Sequence, residues 1–287
     1  MNYNNKYIST TVFPDNTPIL FSLKKLKELG FNKIELGSTH PYEDNILEKL
    51  KKTDFDFLVH NFFPTPKDSS QIINISSSDK KIRTNSIKHI IDRINFSKNI
   101  DSKLYTFHAG YLSHPLSKNA NNKNWDFVYN SSKNSKISYE EAFNNMIDSV
   151  KKFITVSERL KQPIALESCG SYNNKDMLLM QKLPEFERLF KEIDSKYLGL
   201  NINLGHLNLA SHAFNFNKFE FIEGIKDKIF AFEISHNNKL EDEHKLLEQD
   251  EWYFKIIKDN KFRDIPMIFE GRNTPLVNIK TLWEFQQ

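Results

Sequence analysis

Cysteine is almost absent from this sequence. The single residue, Cys169, excludes an intramolecular disulfide and a cysteine-rich zinc site, and it fits a reducing, cytoplasmic compartment. Long apolar runs are absent as well. None approaches the roughly 20 residues needed to span a bilayer, so no membrane partner is expected. The opening Met1-Asn2-Tyr3-Asn4-Asn5-Lys6 lacks the basic-then-apolar order of a signal peptide. There is no Gly-rich phosphate loop, no G-x-S-x-G and no H-E-x-x-H. An excess of one charge is missing too: 40 Lys and Arg against 37 Asp and Glu leave a formal +3. Without a clustered basic patch, that balance argues against nucleic acid as a partner. Lysine pairs such as Lys24-Lys25 and Lys51-Lys52 read as solvated helix faces.

What is present is a repeating rhythm of short apolar runs and amphipathic segments. The hydrophobic content, 39%, is ordinary for a globular chain and sufficient for a sizeable core. The richness in Asn, Lys, Ile and Phe reads as AT-rich codon usage. Strands are expected at residues 7–13, 33–37, 57–60, 104–108, 163–167, 198–204, 229–235 and 266–270, from β-branched and aromatic runs bounded by turn residues. Helices are expected at about 20–29, 43–52, 79–98, from Ser138 onward, 183–193, 219–225, 251–259, and after Thr274-Pro275. Ser138 and Glu141 form a capping box. The polar segment 109–137, which contains Trp125, is expected to be a lid or substrate loop. Regular βα alternation implies a parallel sheet. Eight units in one 287-residue domain match an α/β fold of (β/α)8 TIM-barrel type. A doubly wound sheet would gather its ligands at one switch point and would not need chemistry on six strands.

Six of those runs break the apolar rule at or near their C-terminal ends, with His60, His108, Glu167, Asn203 followed by His206, Glu233 followed by His236, and Glu270. A polar side chain there is costly to bury without a partner, and a TIM barrel collects its site at those strand ends. Glu167 and Glu270 can bridge one divalent metal or move protons at either face of a substrate carbon. Asn203 offers a neutral oxygen, and His206 a nitrogen. Glu233 and His236 are three apart, so they cannot both face the barrel interior from one extended strand; Glu233 suits the interior and His236 the loop above. Asp242 and His244 make a D-x-H pair, while Glu35 on strand two and Arg272 after strand eight complete the candidate substrate contacts.

The stretch from Asn74-Ile75-Ser76-Ser77-Ser78-Asp79 through Arg83 and Ser86 to Phe107-His108-Ala109-Gly110 resembles sugar phosphate isomerase/epimerase-type members of the xylose-isomerase-like barrel superfamily. Ile34-Glu35-Leu36-Gly37, Val59-His60-Asn61, Leu166-Glu167-Ser168, Gly205-His206 and Phe269-Glu270 fit the same pattern. In that superfamily the epimerases hold one divalent metal through Glu, Asp, His and Glu on strands five to eight. The resemblance places these on Glu167, Asn203, Glu233 and Glu270, with Asn in place of Asp and Glu in place of His. An all-oxygen set favours Mg2+ or Mn2+ over zinc; if His236 is the strand-seven ligand instead, zinc or manganese follows. The related endonuclease IV enzymes bind three zinc ions with further ligands, which would fall on His60, His108, His206, Asp242 and His244.

The resemblance implies a metal-dependent isomerase or epimerase acting on a small sugar or sugar phosphate by proton transfer through an enediolate. The alternatives are an endonuclease IV-like phosphodiesterase on abasic DNA and a barrel that binds a sugar without turnover. Self-association is left open by the sequence.

Overall fold

The computed structural model describes residues 5–67, 73–113 and 136–279, together with the backbone of 117–118 and 125–126. Eight parallel strands close into a barrel: β1 (Lys6–Ser9), β2 (Lys33–Leu36), β3 (Asp56–His60), β4 (Tyr105–His108), β5 (Ile164–Glu167), β6 (Leu198–Asn203), β7 (Ile229–Ile234) and β8 (Met267–Phe269). Each strand pairs with its sequence neighbours, and β1 pairs with β8 to complete the circle. The helices are α1 (Ile19–Glu28), α2 (Ile46–Leu50), α3 (Lys80–Asn99), α4 (Tyr139–Leu160), α5 (Leu183–Glu192), α6 (Leu204–Phe214), α7 (Lys218–Ile225) and α8 (Phe254–Ile257). Among the described residues no helix is long and apolar enough to cross a membrane. The fold is the expected (β/α)8 barrel.

Alternation along each strand sorts the side chains into two environments. One set, including Ile8, Ile34, Phe57, Phe107, Leu166, Ile202 and Phe232, packs in the main core with the helices. The best-defined example is α4, whose Phe153 meets the Phe107 ring edge-on at 5.1 Å between centroids. Each fully buried residue of that size contributes roughly 1.5–3 kcal/mol of transfer free energy. The other set forms a separate apolar plug of Tyr7, Leu58, Leu104, Ala165, Ala231 and Ile268. Two residues further along the same strands stand Ser9, His60, Thr106, Glu167, Glu233 and Glu270, all buried. A period of two therefore carries each chain from the apolar plug directly into a polar layer above it.

Five elements depart from the sequence expectation. The first strand ends at Ser9 rather than 13, because Ser9 Oγ accepts the Thr11 N–H and turns Thr10–Val12 into a 3-10 helix. The segments expected to be helical at 43–52 and 251–259 are shorter, at Ile46–Leu50 and Phe254–Ile257. The sixth strand stops at Asn203, and an unforeseen helix, α6, begins at Leu204. Asn203 is its N-cap, its side-chain oxygen accepting the His206 N–H at 3.1 Å. The cap at Ser138 is as expected: its Oγ accepts the Glu141 N–H at 3.1 Å. The lid or substrate loop expected at 109–137 lies mostly outside the described residues, as does the Trp125 side chain.

Candidate active site

The polar layer sits at the C-terminal ends of the barrel strands. Register brings the groups together: His108 lies beside Glu167, Glu167 beside Asn201, and Asn203 beside Glu233 on neighbouring strands. At the centre is the Asn203 amide. Its Nδ2 donates toward Glu167 Oε1 at 3.2 Å, Glu233 Oε2 at 3.0 Å and Glu270 Oε2 at 3.3 Å. The oxygen expected to face a metal is turned instead to the His206 backbone, so this amide offers the pocket a donor. Asn201, two residues earlier on the same face, gives its Nδ2 to Glu233 Oε1 at 2.8 Å.

Around this centre the histidines fall into two groups. His60 Nδ1 lies 3.3 Å from Glu233 and 3.9 Å from Glu35, and its Nε2 lies 3.8 Å from Glu167 Oε2. Thr106 Oγ1 braces its Nδ1 at 2.8 Å. His108 Nδ1 approaches the same Glu167 Oε2 at 3.4 Å. In the second group, Asp242 Oδ2 lies 2.8 Å from His244 Nε2 and 3.4 Å from His206 Nε2. His206 Nδ1 donates to the Ser168 carbonyl at 2.9 Å, and His244 Nδ1 stands 3.2 Å from Glu270 Oε2. Arg272 Nη2 is 3.8 Å from the other oxygen of Glu270.

Burial and neighbouring charge push these groups in opposite directions. Burial raises Glu167 to about 7, helped by the Glu233 charge, and raises Glu35 well above the carboxylate range. Burial opposes ionisation of Glu270 as well, but His244 and Arg272 outweigh it and hold this carboxyl well below its ordinary value. Burial would push His60 down, yet Glu233, Glu35 and Glu167 hold it up at about 10. His108 has no such excess of carboxylates; burial and the His60 charge lower it to about 3. Asp242 outweighs burial at His244, which rises to about 9, and at His206, which also rises.

Three trios of ligand-capable groups therefore lie here, the atoms of each within 4.8 Å of one another: His60, His108 and Glu167; His206, Asp242 and His244; and Glu35, His60 and Glu233. The first fits a divalent cation, because Glu167 Oε2 is buried with no hydrogen-bond partner and faces both imidazoles. Asn203, Glu233 and Glu270, with Glu167, make a different centre that already has a donor within it.

Of the residues expected from sequence, Glu35, His60, His108, Glu167, Asn203, His206, Glu233, Asp242, His244, Glu270 and Arg272 are brought into one connected network. His236 is not: its side chain faces Glu248 at 3.5 Å and the Tyr253 hydroxyl at 3.4 Å. Asn201, Thr106 and Ser168 belong to the site and were not anticipated. Asn201 and Thr106 each stand two residues before a named site residue, so the strand period carried a signal for both.

The approach of β5 to α6 depends on Gly170, where a Cβ would lie 1.9 Å from the His206 carbonyl oxygen. Gly110, at φ +93°, permits a similar approach to the Asn74 and Ser76 side chains.

The uncharacterized protein MJ1614 of Methanocaldococcus jannaschii is 25% identical over 271 residues, covering 91% of this chain and 90% of that protein. A crystal structure of a D-tagatose 3-epimerase-like protein superposes with a TM-score of 0.73 at 20% identity, covering 98% and 96% of the two chains. The IOLI protein with a bound zinc atom superposes at 0.68 and 14% identity, covering 98% and 96%. Solved structures of a 3-keto-D-glucoside 4-epimerase, an L-ribulose 3-epimerase and a D-psicose 3-epimerase share the fold. The family model for the xylose isomerase-like TIM barrel matches residues 23–285, and this chain belongs to that family.

Proposed function

We propose that this chain is a sugar or sugar-phosphate isomerase or epimerase that moves a proton at a carbon beside a carbonyl. The observation that carries the reading is the convergence of Glu167 from β5 and Glu270 from β8 on one buried polar chamber, each within 3.3 Å of the same amide nitrogen. Their surroundings divide the work. Glu167, raised to about 7, is matched to accepting a proton near neutral pH. Glu270 rests anionic beside the His244 imidazolium, which is placed to pass it the proton that Glu270 then delivers to the opposite face, leaving Glu270 a carboxylate and His244 neutral.

A C–H proton leaves to Glu167, its electron pair forms the enediolate double bond, and the carbonyl oxygen takes the negative charge. The His206 imidazolium binds that oxygen and its neighbouring hydroxyl, and the His60 imidazolium does so only when no cation occupies its trio. Glu35, Asp242 and Arg272 orient the remaining hydroxyls or a phosphate. The cation-fitting residues are His60, His108 and Glu167, a nitrogen-rich set suited to zinc or manganese more than to magnesium. A bound cation would supply Lewis-acid polarisation of the carbonyl. Likeness to sugar epimerases supports proton transfer over phosphodiester hydrolysis or binding without turnover.

The test is solvent deuterium incorporation and product formation across a panel of ketoses and ketose phosphates. Saturable exchange lost in Glu167→Gln is expected. Exchange equal in the wild type and Glu167→Gln would sink the reading.

A further inference from the structure

The single-cation arrangement implied by the sequence resemblance needs an oxygen from the end of β6 pointing between the carboxylates of β5, β7 and β8. Here the residue is Asn203, and its two ends are not interchangeable. The oxygen accepts the His206 N–H that opens α6. Turning the amide over would set its N–H2 against that N–H, two donors face to face. The backbone around it is fixed as well: Asn203 N donates to Ser168 Oγ at 3.0 Å. A Cβ on Gly205 would stand 3.2 Å from Asn203 Oδ1.

The nitrogen is therefore the end that faces the pocket. It lies 3.2, 3.0 and 3.3 Å from oxygens of Glu167, Glu233 and Glu270, the three other residues of that arrangement. Its two hydrogens serve three acceptors. Glu233 is engaged a second time, since Asn201 Nδ2 takes its remaining oxygen at 2.8 Å. A cation entering this point would have to displace an N–H2 group whose rotation also uncaps α6.

We infer that the Asn203 amide nitrogen occupies the cation position between Glu167, Glu233 and Glu270, so that this chain binds no metal ion there. The centre of the trio is an uncharged hydrogen-bond donor that draws the carboxylates together and leaves cation binding to other residues of the pocket. The inference deepens the proposed function by removing one location for its metal. It rests on that reading only for the comparison with a cation-centred site.

Asn203→Asp tests it. Aspartate caps a helix as well as asparagine, and it presents an oxygen where the nitrogen stood. Mn2+ stoichiometry is measured by calorimetric titration and by elemental mass spectrometry of dialysed protein. The variant is expected to bind one Mn2+ more than the wild type, and to lose that extra equivalent when Glu233→Gln is added. In chelator the Asn203→Asp protein is expected to melt below the wild type, and Mn2+ to raise its melting temperature by more than it raises the wild type's. This second readout does not depend on the double variant folding. Equal stoichiometry in the wild type and Asn203→Asp would overturn the inference, as would a wild-type equivalent that disappears in Glu233→Gln. Because turnover is not measured, failure of the epimerase reading leaves this result standing, and the reverse holds too.

Discussion

Replacing Glu233 by Gln separates two views of the central carboxylates by the sign of a stability change. If Glu233 were a metal ligand waiting in a cluster of like charges, its neutralisation in chelated protein would relieve repulsion from Glu167 and Glu270 and stabilise the fold. The geometry argues the opposite. Glu233 is fully buried and receives Asn201 Nδ2 at 2.8 Å and Asn203 Nδ2 at 3.0 Å, with His60 Nδ1 at 3.3 Å. Burial and the Glu270 charge oppose its ionisation, but His60 and the Asn201 amide outweigh them and hold its carboxyl below the ordinary value. Glutamine keeps the shape, leaves His60 without its nearest anion, and sets an N–H2 against one of the two amide donors. Removing one partner of a buried ion pair costs about 3–5 kcal/mol, and an unmet buried donor about 1–3. These terms share the same atoms, so we take about 3–5 kcal/mol for the whole change. At about 2 °C per kcal/mol, that lowers the melting temperature by roughly 6–10 °C. The assay is differential scanning calorimetry in chelator. The surface variant Glu43→Gln serves as control; its pairing with Lys49 is partly exposed and contributes about 1 kcal/mol or less. A Glu233→Gln protein as stable as the wild type, or more stable, would refute the reasoning.

Further outcomes follow from the same geometry. Glu167, raised to about 7, gives kcat/KM an acid limb near pH 7, measured as the pH profile of solvent exchange. Its linkage sign is that of a raised carboxyl. The contribution is favourable below the ordinary value of 4.5 and is lost as pH rises through about 7. The pH dependence of unfolding over that interval, on the order of 3 kcal/mol, is therefore expected to flatten in Glu167→Gln. Gly170→Ala places a Cβ 1.9 Å from the His206 carbonyl oxygen and must push α6 from β5. A loss of about 1–3 kcal/mol or more is expected by thermal unfolding, together with weakened exchange activity. Ser138→Ala removes the acceptor for the Glu141 N–H at the start of α4. It should cost about 1 kcal/mol in melting without changing kcat.

The sequence by itself determined the barrel and named most of the residues that the structure gathers in the candidate site. Short apolar runs ending in His60, His108, Glu167 and Glu270 could only be strands whose last inward position is polar, because a two-residue period leaves no other face for them. The same rule put Glu233 inside and His236 in the loop beyond, where the structure has them. Less was legible at the end of β6. The run from Leu198 to Leu204 reads as one strand, yet Asn203 is a helix cap. The helix it opens is buried on most sides at Leu204, Leu207, Leu209 and Ala210, and a helix apolar nearly all round shows little of the amphipathic contrast by which helices are recognised. Tertiary structure alone decided what that cap does. Only when β5, β7 and β8 close around β6 do three carboxylates meet one amide nitrogen, and only the His206 N–H, one turn into α6, determines which end of the amide they meet. Strand order and residue type are local properties of the chain. The direction of a single hydrogen-bonding group is set by partners up to 67 residues away in sequence.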